Sequence, residues 1–154
     1  VDRNNIHVLS RAVVLENNQL LVCQTADLPK NFYFLPGGHV EHGESAEQGL
    51  LREMMEETEA DCHIKKFLGC LEYGFEPGHS SICHNHEYTF IFQLESDRLK
   101  PHLPLSQPLS HLKLIWLPFD AIEEVDFRAE PLKKALPEWL KGKSPQIFCS
   151  SFSI

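Results

Sequence analysis

The chain has 154 residues, 42% of them apolar and 23% charged, with 14 Lys and Arg against 22 Asp and Glu for a formal net charge of −8. That size and balance describe one globular domain over residues 1–154, with a sizeable core, rather than a disordered chain. They argue against general nucleic-acid binding, which needs a basic face, and no apolar run reaches the roughly 18–20 residues of a membrane-spanning helix.

Arg11 to Leu15 reads as an apolar strand, Glu16 to Gln19 as a polar turn and Leu20 to Gln24 as a returning strand, so a hairpin is expected. A loop with Pro29 covers Ala26 to Asn31, followed by the short apolar segment Phe32 to Leu35, which Pro36-Gly37-Gly38 breaks. Ser45 and Gln48 fit a capping box, and the Pro-free run Ala46 to Thr58 predicts a helix in which Gly49 has a modest cost. Strands are expected over Ile64 to Tyr73, His86 to Leu94 and Leu112 to Leu117, with a turn over Glu76 to Ser81 and a proline-bearing loop over Ser96 to Ser110. Phe119 to Val125 suggests a short helix and Pro131 to Lys141 a final one, with an edge strand in the tail Gln146 to Ile154. Hairpins outnumber strand–helix–strand units. The expected class is therefore α+β: a mixed β-sheet flanked by helices, an α/β/α sandwich rather than a doubly wound parallel sheet.

The first residues show no basic stretch followed by an apolar run, so no secretory signal is expected. The five cysteines (23, 62, 70, 83 and 149) are odd in number and form no C-x-x-C pair, which points to free thiols in a reducing cytoplasm.

Acidic residues crowd one stretch: Glu41, Glu44, Glu47, Glu53, Glu56, Glu57 and Glu59. At about 100° per residue, Glu53, Glu56 and Glu57 share one side of the predicted helix. Leu50, Leu51, Met54 and Met55 fall on the opposite arc, ready to pack on a sheet. Three carboxylates within one turn repel each other unless neutralised. A hard divalent cation with oxygen ligands does this, and Mg²⁺ suits carboxylates combined with phosphates. Upstream, Gly37-Gly38 allows close backbone approach and an inward carbonyl. Arg52, beside the acidic face, can hold carboxylates bidentately, and Glu44 can pair with it or with the positive helix end.

The stretch Gly38 to Ala60 resembles the Nudix box: Gly, five residues, Glu, seven residues, Arg-Glu, an aliphatic, one residue, Glu-Glu, one residue, Gly and an aliphatic. Gly38, Glu44, Arg52, Glu53, Met54, Glu56 and Glu57 match in place, with the L-P-G-G lead-in at Leu35 and G-E-S at Gly43. One position departs: Glu59 stands where the family has Gly. If Glu59 adopts the left-handed conformation of that Gly, the cost is about 1–2 kcal/mol.

The resemblance implies a Nudix-like fold and Mg²⁺-dependent hydrolysis (Mn²⁺ as a substitute) of a pyrophosphate bond in a nucleoside diphosphate-linked or nucleoside triphosphate small molecule. It implies Glu53, Glu56, Glu57 and the Gly38 carbonyl as metal ligands, with Glu44 and Arg52 orienting them. Arg52, Glu53 and Glu56 are the expected catalytic residues, and Glu56 or Glu53 is favoured as base ahead of Glu87, Glu123 or Glu124. A nucleotide-binding sensor without turnover is the alternative. The partner is a nucleotide-like small molecule, and dimerisation is common among proteins with this resemblance, so a homodimer is an open expectation.

Substrate contacts are expected from Tyr33, which alternation sets on the face opposite Phe32 and Phe34 and which could stack a nucleobase, and from Arg11 toward a phosphate or ribose. His39 and His42 lie in the box loop and His86 on a strand, as further contacts. Cys83, His84, His86 and Glu87 form a metal-capable run, but no second Cys or His pair follows at structural-zinc spacing, so zinc is not expected there. Trp116 reads as core.

Overall fold

The computed structural model describes residues 2–26, 31–76, 83–143 and 145–152. The expected loop over Ala26 to Asn31 and turn over Glu76 to Ser81 fall largely outside the described residues. Among the described residues ten strands run in chain order as β1 His7–Val13, β2 Leu15–Glu16, β3 Gln19–Thr25, β4 Tyr33–Phe34, β5 Gly37–His39, β6 His63–Gly74, β7 His86–Glu95, β8 Leu112–Pro118, β9 Phe127–Arg128 and β10 Phe148–Ser150. Helix α1 (Ala46–Thr58) lies between β5 and β6, and α2 (Leu132–Lys141) between β9 and β10.

The strands form two five-stranded sheets rather than one. The first has the order β10-β6-β7-β1-β5, with β1 parallel to β7 and antiparallel to β5. In the second, β8 runs antiparallel along the whole of β3, while β2 and β4 pair with successive parts of β3 and β9 lies parallel to β4.

The expected hairpin is thereby corrected. The segment read as its first strand is split: β1 begins at His7 and belongs to the first sheet, and only Leu15–Glu16 turns back onto β3. Asn17 and Asn18, at φ 50° and 59°, make the two-residue turn. Positive φ at both central positions matches the twist of the flanking strands, and Asn tolerates it. The short helix expected at Phe119 to Val125 is a 3₁₀ turn, Phe119–Glu124, and the tail supplies an edge strand parallel to β6.

Alternation along the central strands sorts two cores. Ala12, Val14, Leu21 and Cys23 point one way and pack with Leu50 and Met54 of α1. Val13, Leu20 and Val22 point the other way, toward Leu132, Leu136 and Trp139 of α2. Strands of both sheets contribute to each core, and a helix covers each one, α1 and α2, which is the sandwich of strands between helices expected from the interspersed elements. Trp116 is partly buried against the α1 core. No helix among the described residues is long and apolar enough to cross a membrane.

Candidate active site

Helix α1 carries most of the site, and its start is fixed locally. Gln48 N–H donates to Ser45 Oγ at 3.1 Å while Ser45 N–H donates to Gln48 Oε1 at 2.8 Å, the reciprocal capping box. Its buried face is Gly49, Leu50, Met54, Glu57 and Thr58. The face is thus rotated from the one expected. Met55 is 43% exposed, whereas Glu57 is buried at 8%. Positions 50, 54, 57 and 58 form one i, i+4, i+7, i+8 stripe, so Glu57 faces inward with the apolar residues.

Burial sets the chemistry of these acids. Desolvation pushes the Glu57 carboxyl up to about 7, against the opposing effects of the Gly37 N–H, which donates to Glu57 Oε2 at 3.0 Å, and the Arg11 charge. Burial also raises Glu53, with Arg52 opposing. Glu56 is the most open, its side chain 56% exposed.

Arg52 ties the box together. Its Nε and Nη2 donate to Glu44 Oε2 and Oε1 at 3.2 and 2.7 Å, the bidentate pairing expected of a planar fork. The same guanidinium lowers the Glu44 carboxyl below its ordinary value. Nη1 reaches Glu53 Oε1 at 3.1 Å and Glu56 Oε1 at 3.3 Å, and Nη2 also donates to the His39 carbonyl at 3.0 Å. Two glycines leave room for these acids. A Cβ on Gly38 would lie 2.5 Å from the Glu53 carboxyl carbon, and one on Gly49 would lie 2.8 Å from Glu44 Oε1. The mid-helix Gly49 that lowers helix propensity is thereby explained by the carboxylate it accommodates.

The donor set of Glu53, Glu56 and Glu57 beside the Gly38 backbone is all oxygen, suited to a hard divalent cation. The space that a Gly38 side chain would fill lies against Glu53, so the missing side chain lets the carboxylate sit close to the backbone there. The residues present therefore offer donors that fit a hard divalent cation.

A cavity of about 330 Å³ is lined by Arg11, Phe32, Phe34, Tyr73, Phe75, His84, Glu87, Arg128 and Ala129, none of them a box residue. Arg11 links the two regions. It donates to the Leu35 carbonyl at 2.7 Å, stands 5.6 Å over the Phe34 ring, and lowers the Glu53 and Glu57 carboxyls by its charge. Arg128 stands 4.3 Å over Phe32. A larger cavity of about 780 Å³ lies between α2 and the tail, lined by residues such as Lys133, Glu138 and Phe148, and it lacks the link to the box glutamates that Arg11 gives the smaller one.

The placement of the expected contact residues is mixed. Arg11 lies on the cavity wall, but Tyr33 packs against the α2 core, and its neighbours Phe32 and Phe34 line the cavity instead. The alternation is as read, with the faces exchanged. His86 is on another surface, beside Tyr88 and Phe152, and lines a separate cavity with Arg3 and Glu76. His42 is exposed in the box loop. His39 turns from the carboxylates toward His7, Cys83 and His84. Among the alternative bases, Glu87 lines the cavity beside Arg11, while Glu123 lines the larger cavity near α2. Sequence reasoning missed His7, Tyr73, Phe75 and Arg128. Tyr73 and Phe75 follow period-2 spacing, which gave a signal, but nothing local marks Arg128.

A family model described as NUDIX domain matches residues 6–140. A Bacillus subtilis (strain 168) protein named "Putative 8-oxo-dGTP diphosphatase" is 39% identical over 57 residues, 37% of this chain and 37% of that protein. The match thus spans little more than a third of the curated relative. The solved NUDIX hydrolase from Nitrosomonas europaea superposes with a TM-score of 0.68 at 20% identity, covering 90% of this chain and 91% of that one. The E. coli ORF135 protein gives a TM-score of 0.68 at 16% identity, covering 92% and 96%. At these identities the two structures bear on the fold, which they share with the chain. With the family model spanning most of its length and Glu44, Glu53 and Glu56 of the box gathered around Arg52, the chain belongs to the Nudix hydrolase family.

Proposed function

We propose that the protein hydrolyses a pyrophosphate bond in a nucleoside triphosphate or nucleoside diphosphate-linked small molecule, with Mg²⁺ as cofactor and Mn²⁺ as a substitute. The observation that carries this is the continuity of Arg52, Glu53, Glu56 and Glu57 with Arg11 and the aromatic cavity. Oxygen ligands for a cation lie on one side of Arg11 and flat apolar rings for a base on the other. The 8-oxo-dGTP diphosphatase name of the Bacillus relative supports a nucleoside triphosphate as one substrate class.

Glu53, Glu56, Glu57 and the Gly38 carbonyl would hold the cation. When bound, it neutralises phosphate charge and makes a coordinated water more acidic. Arg52 holds Glu44, Glu53 and Glu56 through one guanidinium, so these carboxylates would meet the substrate already oriented. Arg52 engages Oε1 of Glu56 and of Glu53, leaving Oε2 of either to take the proton from the attacking water. The water oxygen bonds to phosphorus, the bridging P–O bond breaks, and the products are two phosphate-bearing fragments. Phe32 or Phe34 would stack the base, and Arg11 would meet the phosphate nearest to it.

A nucleotide panel including 8-oxo-dGTP, dGTP, ADP-ribose and a UDP-sugar tests this, with and without Mg²⁺, for wild type and Glu57→Gln. Metal-dependent product formation that the variant loses supports the enzyme. Tight nucleotide binding without product would favour a sensor.

A further inference from the structure

One group of metal-capable side chains among the described residues closes to within 4.8 Å, and it is not on α1: His7, His39, Cys83 and His84. We propose that these four residues bind a zinc-class transition metal ion in a closed, structural site separate from the box carboxylates.

The geometry points to a shared centre. His7 Nδ1 lies 2.9 Å from His39 Nε2, and Cys83 Sγ lies 2.7 Å from His84 Nδ1 and 3.8 Å from His39 Nε2. A tetrahedral zinc ion with Zn–N of about 2.0–2.1 Å and Zn–S of about 2.3 Å sets its ligand atoms about 3.3–3.6 Å apart. The observed separations bracket that range, so small side-chain adjustments complete the tetrahedron.

The far sides of the rings are prepared as well. His7 Nε2 faces Asp2 Oδ2 at 2.9 Å, and His84 Nε2 faces Glu87 Oε2. Each carboxylate favours a proton on the nitrogen it faces, which leaves the lone pair of Nδ1 directed at the cluster. Carboxylate–histidine pairs of this kind orient metal-bound imidazoles and raise their basicity. The carboxylates are themselves held. Asp2 accepts from the backbone of Asn4 and Asn5 and from Asn5 Nδ2, and Glu87 Oε1 accepts from Thr89 Oγ1 at 2.9 Å. Lone pairs converging on one point repel each other unless a proton or a cation lies between them.

The donor chemistry selects the ion. Imidazole and thiolate suit zinc, whereas Mg²⁺ takes oxygen ligands. Four protein ligands leave no open position, the mark of a structural rather than a catalytic zinc. Such an ion would staple the start of β1, β5 and the stretch before β7. β1 already pairs with β5, and the chain just before β1 meets Cys83 and His84 through the Asp2–His84 bridge and the Asp2 N–H to Cys83 carbonyl bond of 2.8 Å. The proposal does not depend on the pyrophosphatase reading.

The test uses the full chain, stripped with a chelator and titrated with Zn²⁺ against a chromophoric competitor, then with Co²⁺. One equivalent of zinc should bind, and the cobalt form should show tetrahedral d–d bands with a thiolate charge-transfer band. Cys83→Ser should abolish the charge-transfer band, and His7→Gln should lose stoichiometric binding. Asp2→Asn, which keeps every ligand, should weaken zinc by about 10–100-fold. Glu53→Gln should leave zinc stoichiometry unchanged. No stoichiometric zinc in the wild type, an octahedral cobalt spectrum without the thiolate band, or zinc binding abolished by Glu53→Gln would each overturn the proposal.

Discussion

Glu59 ends α1 at φ 57° and ψ 24°, with its N–H on the Met55 carbonyl at 3.0 Å, and its side chain is exposed. The chain therefore keeps the left-handed exit of the Nudix box without the Gly that usually makes it. For a residue with a Cβ that conformation costs about 1–2 kcal/mol. Replacement by Gly relieves this but returns about 0.4–1 kcal/mol through the freer unfolded chain. It also removes an acid from the negative end of a helix, a relief of about 0.3–1 kcal/mol. Glu59→Gly should thus stabilise the protein by about 1 kcal/mol, a rise in Tm of about 2–4 °C for a domain of this size. Glu59→Ala separates the two effects, since it removes the charge but retains the Cβ, so it should recover less than half of the gain. Calorimetry together with urea unfolding at constant m checks both. The reasoning fails if Glu59→Gly melts no higher than Glu59→Ala.

Three further outcomes follow from the site. Gly38→Ala puts a Cβ against the Glu53 carboxylate and should lower kcat/KM by about 100-fold with little change in Tm, measured by steady-state turnover and thermal melting. Arg52→Lys replaces a fork that grips Glu44 twice with a single point charge; the Mg²⁺ concentration for half-maximal rate should rise by about 10–100-fold. Phe34→Ala should raise KM for a nucleotide by roughly tenfold, in line with about 1–3 kcal/mol per stacked base, whereas Tyr33→Phe should leave KM unchanged because Tyr33 faces the core.

Much of this was legible from local pattern. The capping box placed the start of α1, the spacing of the glutamates placed the site, and alternation separated Tyr33 from Phe32 and Phe34. What local pattern could not give was which face meets which core. Met55 is apolar and reads as inward, yet it is 43% exposed, while the stripe that packs on β1 and β5 runs through Leu50, Met54 and Thr58, with Leu51 partly buried beside it, and takes Glu57 with it. A buried carboxylate is written in sequence like an exposed one. The hairpin misled for a related reason: nothing near Val13 marks a strand passing from one sheet to another, because that switch is decided by pairing with β7, about 80 residues on. The same distance hid the histidine group. Cys83 and His84 are neighbours, but His7 and His39 reach them only through the pairing of β1 with β5 and β7.

Those pairings also explain how two unlike sets of donors stand so close without mixing. Successive residues of an extended strand present opposite faces. Along β5, Gly38 lies against the Glu53 carboxylate, and His39, the next residue, turns its ring to His7 and Cys83. Arg52 touches both neighbourhoods, through the side chains of Glu44, Glu53 and Glu56 on one and the His39 carbonyl on the other. An oxygen-only set on the helix side and a nitrogen–sulfur set on the strand side differ in the ions they prefer. Selectivity between the two positions therefore rests on the ligand atoms themselves, and the strand backbone needs only to keep its alternation for each set to stay on its own side.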